Sequence, residues 1–271
     1  MQRNRLHFKT ALLLSSFLLS QAPSLAGEPL PPVVVELFTS QGCSGCPPAD
    51  GLLGRIAGLV VDQAQVIPLS EHVDYWNYLG WRDPFSDKVF TERQRDYAVS
   101  FGQRSVYTPE MVVDGVRGFN GASESAAREA IVSRLREKKE KLSVKAVRLK
   151  DSIEVRVSRS VGVGAGSRAG FDSGRGPNQD KNQYLIVCLT QDNLSVPVRS
   201  GENSGRRLSH HAVVRVMRKV ENPGGQVSVS FELDPGWKLS EMHAVSFLQD
   251  RYSKEITGAG TSPVSVGNSL H

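Results

Sequence analysis

Apolar residues fall into two kinds of pattern along the chain, and the change comes near residue 143. Before it, short uniformly apolar runs alternate with stretches of helical periodicity. VVVELF (33–38) reads as a first strand. A helix is expected from Cys46 to Leu59, its first turn tolerating Pro47 and Pro48 because N–H groups there have no intrahelical partner to lose. AQVIPL (64–69) reads as a second strand, and Ser86–Phe101 as a helix with Phe90, Tyr97 and Phe101 at roughly helical spacing. EMVVDG ends in Asp114-Gly115, a hairpin signal. A third helix is expected from Ser123 to Lys141, with Ala127, Ile131 and Leu135 on one face.

After Ser143 the helical period disappears. VKAVRLKDSIEVRVS, YLIVCLTQ, AVVRVM, VSVSFEL and HAVSFLQ alternate or form short apolar runs, which predicts an antiparallel sandwich or a sheet packed on the first half. Gly162–Asn182 is rich in Gly, Ser, Asp and Arg and reads as a mobile loop between strands, at 162–182. The expected organisation is therefore α/β at 27–142, with a helical and aromatic insertion at 72–105, followed by a mostly antiparallel β domain at 143–271.

The N-terminus adds a compartment. Arg3, Arg5 and Lys9 precede an apolar run from Ala11 to Leu19, and Ser24-Leu25-Ala26 offers small residues to a signal peptidase, so 1–26 reads as a cleaved leader. The run is shorter than the ~20 residues a membrane span needs. A periplasmic or secreted protein without stable membrane insertion is the expectation, and no cysteine lies at the cleavage site to take a lipid. The leader holds three of the basic side chains behind the net charge of +5 and no acidic ones, leaving +2. That remainder is too small for a nucleic-acid footprint. About 245 residues remain, enough for two ordinary domains.

Cys43 and Cys46 carry the candidate chemistry. They stand two residues apart where a strand gives way to a helix, and a thiol at a helix N-terminus is acidified by backbone N–H groups and the helix dipole. Cys43 is the candidate attacking thiolate and Cys46 the resolving thiol. Ser44-Gly45 between them adds neither a rigid ring nor a charge, so no potential is read from it. Cys188, inside YLIVCLT, reads as a small buried apolar residue.

The order strand, helix, strand, helix, proline, hairpin, helix matches a thioredoxin-like arrangement. In that arrangement Pro109 would be the cis proline facing the cysteines, with Thr108 offering backbone groups to an extended substrate strand; the alternative is a trans proline starting an edge strand. Loops beyond the strand ends bring further candidates to the same edge. His72 is either a proton carrier for Cys43 or a hydrogen-bonded structural histidine. Tyr75 and Trp76, with Tyr78 and Trp81, form either a substrate-binding lid or a satellite core. Glu36 interrupts an otherwise buried strand, so it is either an acid serving the dithiol or the partner of a basic side chain on an adjacent element. GENSGRRLSHHAVVR (201–215) is a polar groove facing the dithiol or a docking element, with a solvated turn the simpler account of His210-His211.

VELFTSQGCSGCPPAD, HVDYWNYLGWRDPFS, VYTPEMVVDG and GENSGRRLSHHAVVR together resemble successive blocks of an exported thioredoxin-like family, the domain of unknown function numbered twelve twenty-three. The resemblance implies a thioredoxin-like fold, export in bacteria and no established substrate. The functional expectation is an exported thiol-disulfide oxidoreductase acting on protein thiols and disulfides without cofactor or metal. The alternatives are a binding protein with a structural disulfide and a metal-handling protein using Cys43, Cys46 and His72.

Overall fold

The computed structural model describes residues 30–57, 60–61, 64–159 and 182–266. The leader at 1–26 and all but the last residue of the loop at 162–182 lie outside them. Along this chain run β1 (Val33–Thr39), α1 (Pro47–Ile56), β2 (Val60–Val61), β3 (Ala64–His72), α2 (Lys88–Ser100), β4 (Glu110–Val113), β5 (Arg117–Asn120) and α3 (Glu124–Arg134). The second half follows as β6 (Glu140–Arg148), β7 (Ser152–Arg159), β8 (Gln183–Gln191), β9 (Leu194–Pro197), β10 (Arg207–His210), β11 (Val213–Glu221), β12 (Gln226–Glu232), β13 (Met242–Asp250) and β14 (Ile256–Val266).

The expected division into an α/β thioredoxin-like domain and a separate sandwich-like β domain is overturned. Strands dominate, and eleven of them follow one another in a single mixed sheet, in the order β12-β7-β6-β14-β13-β8-β11-β3-β1-β4-β5, with β2 attached to β3. The junction across the expected boundary is β11 against β3, parallel, through Val213 and Ser70, with Ser70 N–H donating to Ala212 O at 2.8 Å. Side chains widen that narrow seam. Val34, Ile67, Leu69 and Phe90 from the first half form one core with Ile186, Cys188, Val214, Val245 and Phe247 from the second. Apolar burial of this extent is the dominant favourable contribution to folding, so the halves share their stability.

β1 sits between β3 (parallel) and β4 (antiparallel), buried on both faces. Its odd residues Val33, Val35 and Leu37 pack with Leu52 and Leu53 of α1 and Ile131 of α3. Its even residues Val34, Glu36 and Phe38 turn to the opposite face, where α2 lies. This period-two alternation decides which groups can reach the cysteines.

At the far end, β14 runs parallel to β6. A Cβ on Gly260 would stand 2.2 Å from Leu142 O, so only glycine lets the two backbones approach there. Ile153, Val155 and Phe231 of the outer strands share a core with Leu185, Leu189, Ala244 and Leu248 of the central ones. Strands that are remote in the sheet order meet face to face only if the sheet coils over itself, and this takes the place of the expected sandwich.

Candidate functional site: the Cys43–Cys46 turn

Cys43 and Cys46 are joined by a disulfide across the turn that connects β1 to α1. Cys46 is the N-cap of α1, followed by Pro47 and Pro48, and its carbonyl accepts from Ala49 N and Asp50 N. Ser44 and Gly45 are exposed, while Cys43 and Cys46 retain only 2% and 0% of their surface. The Thr108–Pro109 peptide is cis and lies against the turn: a Cβ on Gly45 would stand 3.8 Å from Pro109 Cδ. Cys43 Sγ is 3.8 Å from Thr108 O, and Trp76 Nε1 donates to Thr108 Oγ1 at 2.8 Å. The sequence candidates Cys43, Cys46, Thr108, Pro109 and Trp76 are thus one contiguous group. Tyr75 instead donates its hydroxyl to Gln94 Oε1 at 3.1 Å and, with Trp76, packs against Phe38, Val73, Tyr97 and Val112 as a satellite core.

The second half supplies a clamp. Asn203, fully buried, donates through Nδ2 to Gln41 O and to Cys43 O, each at 2.9 Å, while its Oδ1 accepts from Arg206 Nη1 at 2.8 Å. The neighbouring Glu202 accepts from Ser44 N at 2.9 Å, and hydrogen bonding from the Ser44 side chain, with this backbone bond, holds its carboxyl below the usual range. The start of the 201–215 segment, through Glu202 and Asn203, therefore docks on the dithiol turn.

Below the turn lies a buried polar cluster. His72 is opposite Thr39 in the β1–β3 register, and its Nδ1 is 2.7 Å from Asp83 Oδ2, which also accepts from Gln41 N at 2.8 Å. Burial opposes charge on His72, but Asp83 by charge and hydrogen bond, helped by Asp50, raises its pKa above the ordinary value. Asp83 moves the other way: burial pushes it up, and His72 and the backbone donors bring it below the carboxylate range.

His210 is buried, not part of a solvated turn, and its ring centroid lies 4.8 Å from that of His72. Trp81 Nε1 occupies Gln41 Oε1, so Gln41 presents its amide nitrogen to His210 Nε2 at 3.2 Å. That nitrogen of His210 must accept, which puts the ring proton on Nδ1, 3.8 Å from Asp50 Oδ2. Burial first, then the charge of His72, push His210 down to about 3, so it is neutral. Asp50, buried and bonded to Thr39 Oγ1 at 2.9 Å, is pushed up to about 6 by burial, with His72 and Thr39 opposing.

Glu36 faces away from this group. It points to the α2 side, where Arg93 Nε (2.5 Å) and Tyr97 OH (2.5 Å) hold its two oxygens. It is the partner of a basic side chain, with β1 between it and α1. Glu71 lies on the same side, its carboxyl pushed well up by burial and by the charge of Glu36, with Arg93 opposing. Cys188 is buried nearby, its thiol pushed up by burial and by Glu71.

His211 turns from the cluster, against Gly54, and lines a cleft of about 390 Å³ with His243 and Asp192, away from the dithiol. Among the described residues no three His, Cys, Asp or Glu side chains converge to hold a metal; Cys43 and Cys46 are joined, and His72 is held on Asp83. No helix among them is long and apolar enough to cross a membrane.

A family model described as Protein of unknown function (DUF1223) matches residues 34–249. The chain belongs to this family. Its structure is similar to that of protein AGR_C_4864 from Agrobacterium tumefaciens, with a TM-score of 0.60 at 27% identity, over 88% of this chain and 96% of that one. It is also similar to HBP35 of Porphyromonas gingivalis, with a TM-score of 0.62 at 13% identity, over 90% of this chain and 79% of that one; the likeness there is one of fold. No curated protein matches the chain.

Asp50 and Asp83 escaped the reading of the sequence, whereas Asn203 falls within the 201–215 segment read there as a groove or docking element. Asp50 carried a usable signal, since Cys46, Ala49, Asp50 and Leu53 are spaced to share one face of a helix. Asp83 lies in an irregular segment whose partners are set by tertiary structure alone.

Proposed function

We propose that this protein is an exported thiol-disulfide oxidoreductase acting on protein disulfides through Cys43 and Cys46. The observation that supports this most is the placement of the disulfide: it closes the turn that leads into α1, with Cys46 as the N-cap and the two residues between the cysteines exposed. In the reduced protein the Cys43 thiolate attacks a partner disulfide. A Cys43–partner bond forms, the partner's own S–S bond breaks, and one partner sulfur leaves with the electron pair. Cys46, deprotonated, then attacks Cys43 Sγ, closing the protein disulfide and releasing the second partner sulfur as thiolate. Export rests on the leader pattern at 1–26.

The test is covalent trapping. Cys46→Ala in the full chain retains mixed disulfides that Cys43→Ala/Cys46→Ala does not; equal recovery from both rejects exchange.

A second reading, a structural brace in a binding protein, is favoured by the burial of both cysteines. The reduction potential separates the two. A value of roughly −120 to −270 mV belongs to exchange proteins, and one below about −300 mV to a brace.

A further inference from the structure

A thiolate on Cys43 would draw on the backbone N–H groups of residues 44–46, the positive end of α1. Two of these three are already committed: Cys46 N donates to Cys43 O at 3.2 Å, and Ser44 N to Glu202 Oε2 at 2.9 Å. Glu202 does not reach the turn by chance of a flexible surface chain. Its neighbour Asn203 is fully buried and fixed on both Gln41 O and Cys43 O, and Ser200 Oγ is tied to Gly80 O at 2.5 Å, so the loop is pinned on either side of the carboxylate. A carboxylate is thereby held on the backbone N–H of Ser44, the residue that follows the candidate nucleophile, by a segment about 160 residues away in sequence.

We propose that Glu202 is a positioning residue that sets the thiolate fraction of Cys43, and with it the balance of thiol-disulfide exchange, by occupying the N–H of the adjoining Ser44 with a carboxylate. The inference rests on the reading of Cys43 as an exchanging thiol. Ionisation of Cys43 releases a proton to solvent and leaves the electron pair on Sγ, and the fixed carboxylate repels the charge so formed. Arg206, bonded to Asn203 Oδ1, is the opposing charge on the same loop, and its own contact orients the Asn203 amide onto the two carbonyls. The consequence is a Cys43 less acidic than an uncapped helix N-terminus gives, and a disulfide correspondingly harder to reduce.

Glu202→Gln isolates the charge, because its amide oxygen still accepts from Ser44 N. In the full chain carrying Cys46→Ser, thiolate absorbance is titrated against pH, with Cys43→Ser/Cys46→Ser as the blank for the buried Cys188. Glu202→Gln is expected to lower the Cys43 midpoint by about half a unit to one unit, a threefold to tenfold rise in thiolate at pH below the midpoint, and the difference shrinks in 1 M salt. With both cysteines present, the same variant shifts the glutathione equilibrium toward the dithiol. An unchanged midpoint overturns the role of Glu202. A wild-type potential below about −300 mV rejects the exchange reading instead, while the difference between the two titrations still reports on Glu202.

Discussion

Arg93 Nε stands 2.5 Å from Glu36 Oε1 and 3.6 Å from Glu71 Oε1, a single guanidinium between two buried acids. Its Nη1 donates to Gln249 Oε1 at 2.9 Å, so α2 is tied at one point to β1, β3 and β13. Arg93→Met leaves a buried carboxylate uncompensated and is expected to cost about 3–5 kcal/mol in urea unfolding. Glu36→Gln, which removes one charge and lets Glu71 pair with Arg93, costs less. An equal or larger loss for Glu36→Gln would contradict this balance.

Asp50 gives a pH dependence with a definite sign. Its carboxyl sits at about 6 in the folded protein against an ordinary value of 3.8, so the folded state binds the extra proton and stability falls as pH rises from about 4 to about 6. Above that window the buried charge costs about 3 kcal/mol, from a shift of roughly two units. Asp50→Asn, which can still accept from Thr39, should unfold at higher temperature than the parent at pH 7.5 and near the parent at pH 4. Calorimetry at the two pH values checks it; a gain of the same size at both points to another cause.

His210 runs the opposite way. Held neutral down to about 3, it makes the fold lose stability as pH falls from 6.5 toward 3, because the unfolded chain takes up the proton first. His210→Gln is expected to flatten the acid limb of the stability profile followed by circular dichroism, and an unaltered limb would assign acid sensitivity elsewhere.

Gly115 has φ +69°, and a Cβ there would fall 1.9 Å from Lys254 O. The next-door Asp114 anchors this corner, accepting from Val34 N at 2.9 Å and from Lys139 Nζ at 2.6 Å. Gly115→Ala must displace backbone and should cost about 3 kcal/mol or more, seen as a lowered melting temperature of the full chain.

Asn203→Ala removes the donor shared by Gln41 O and Cys43 O. The expected loss is about 1–3 kcal/mol, with faster amide exchange at Ser44 and Cys46. Retained protection at those amides would show that the turn holds its shape without the clamp.

Local features were legible in the sequence. β1, the start of α1, β3 and the Asp114-Gly115 turn follow from apolar runs, proline tolerance and turn chemistry, all of which act over a few residues. The single sheet was not. It depends on Val213 meeting Ser70 and on β14 lying parallel to β6, and nothing in a strand's own alternation names its partner. The same limit applies to the site. Cys43 and Cys46 announce themselves by spacing, whereas Glu36 has a signal of burial that leaves its face undecided until the register of β1 is known. His210 looked like part of a polar turn because its burial comes from Phe85, His72 and Gln41, all remote in sequence.

The clamp on the dithiol has a consequence for how the chain matures. During synthesis the N-terminal part emerges first, so Cys43 and Cys46 are available well before Asn203, 160 residues later, and before Val213 arrives to cover part of the β3 edge. Until then the cysteines sit at the end of β1 in an incomplete sheet with an unpaired strand edge, a state open to wrong partners. An early disulfide at this turn closes a loop of only a few residues, so it commits the chain to no tertiary arrangement. The remote residues later select the final environment of a bond that local chemistry has already made.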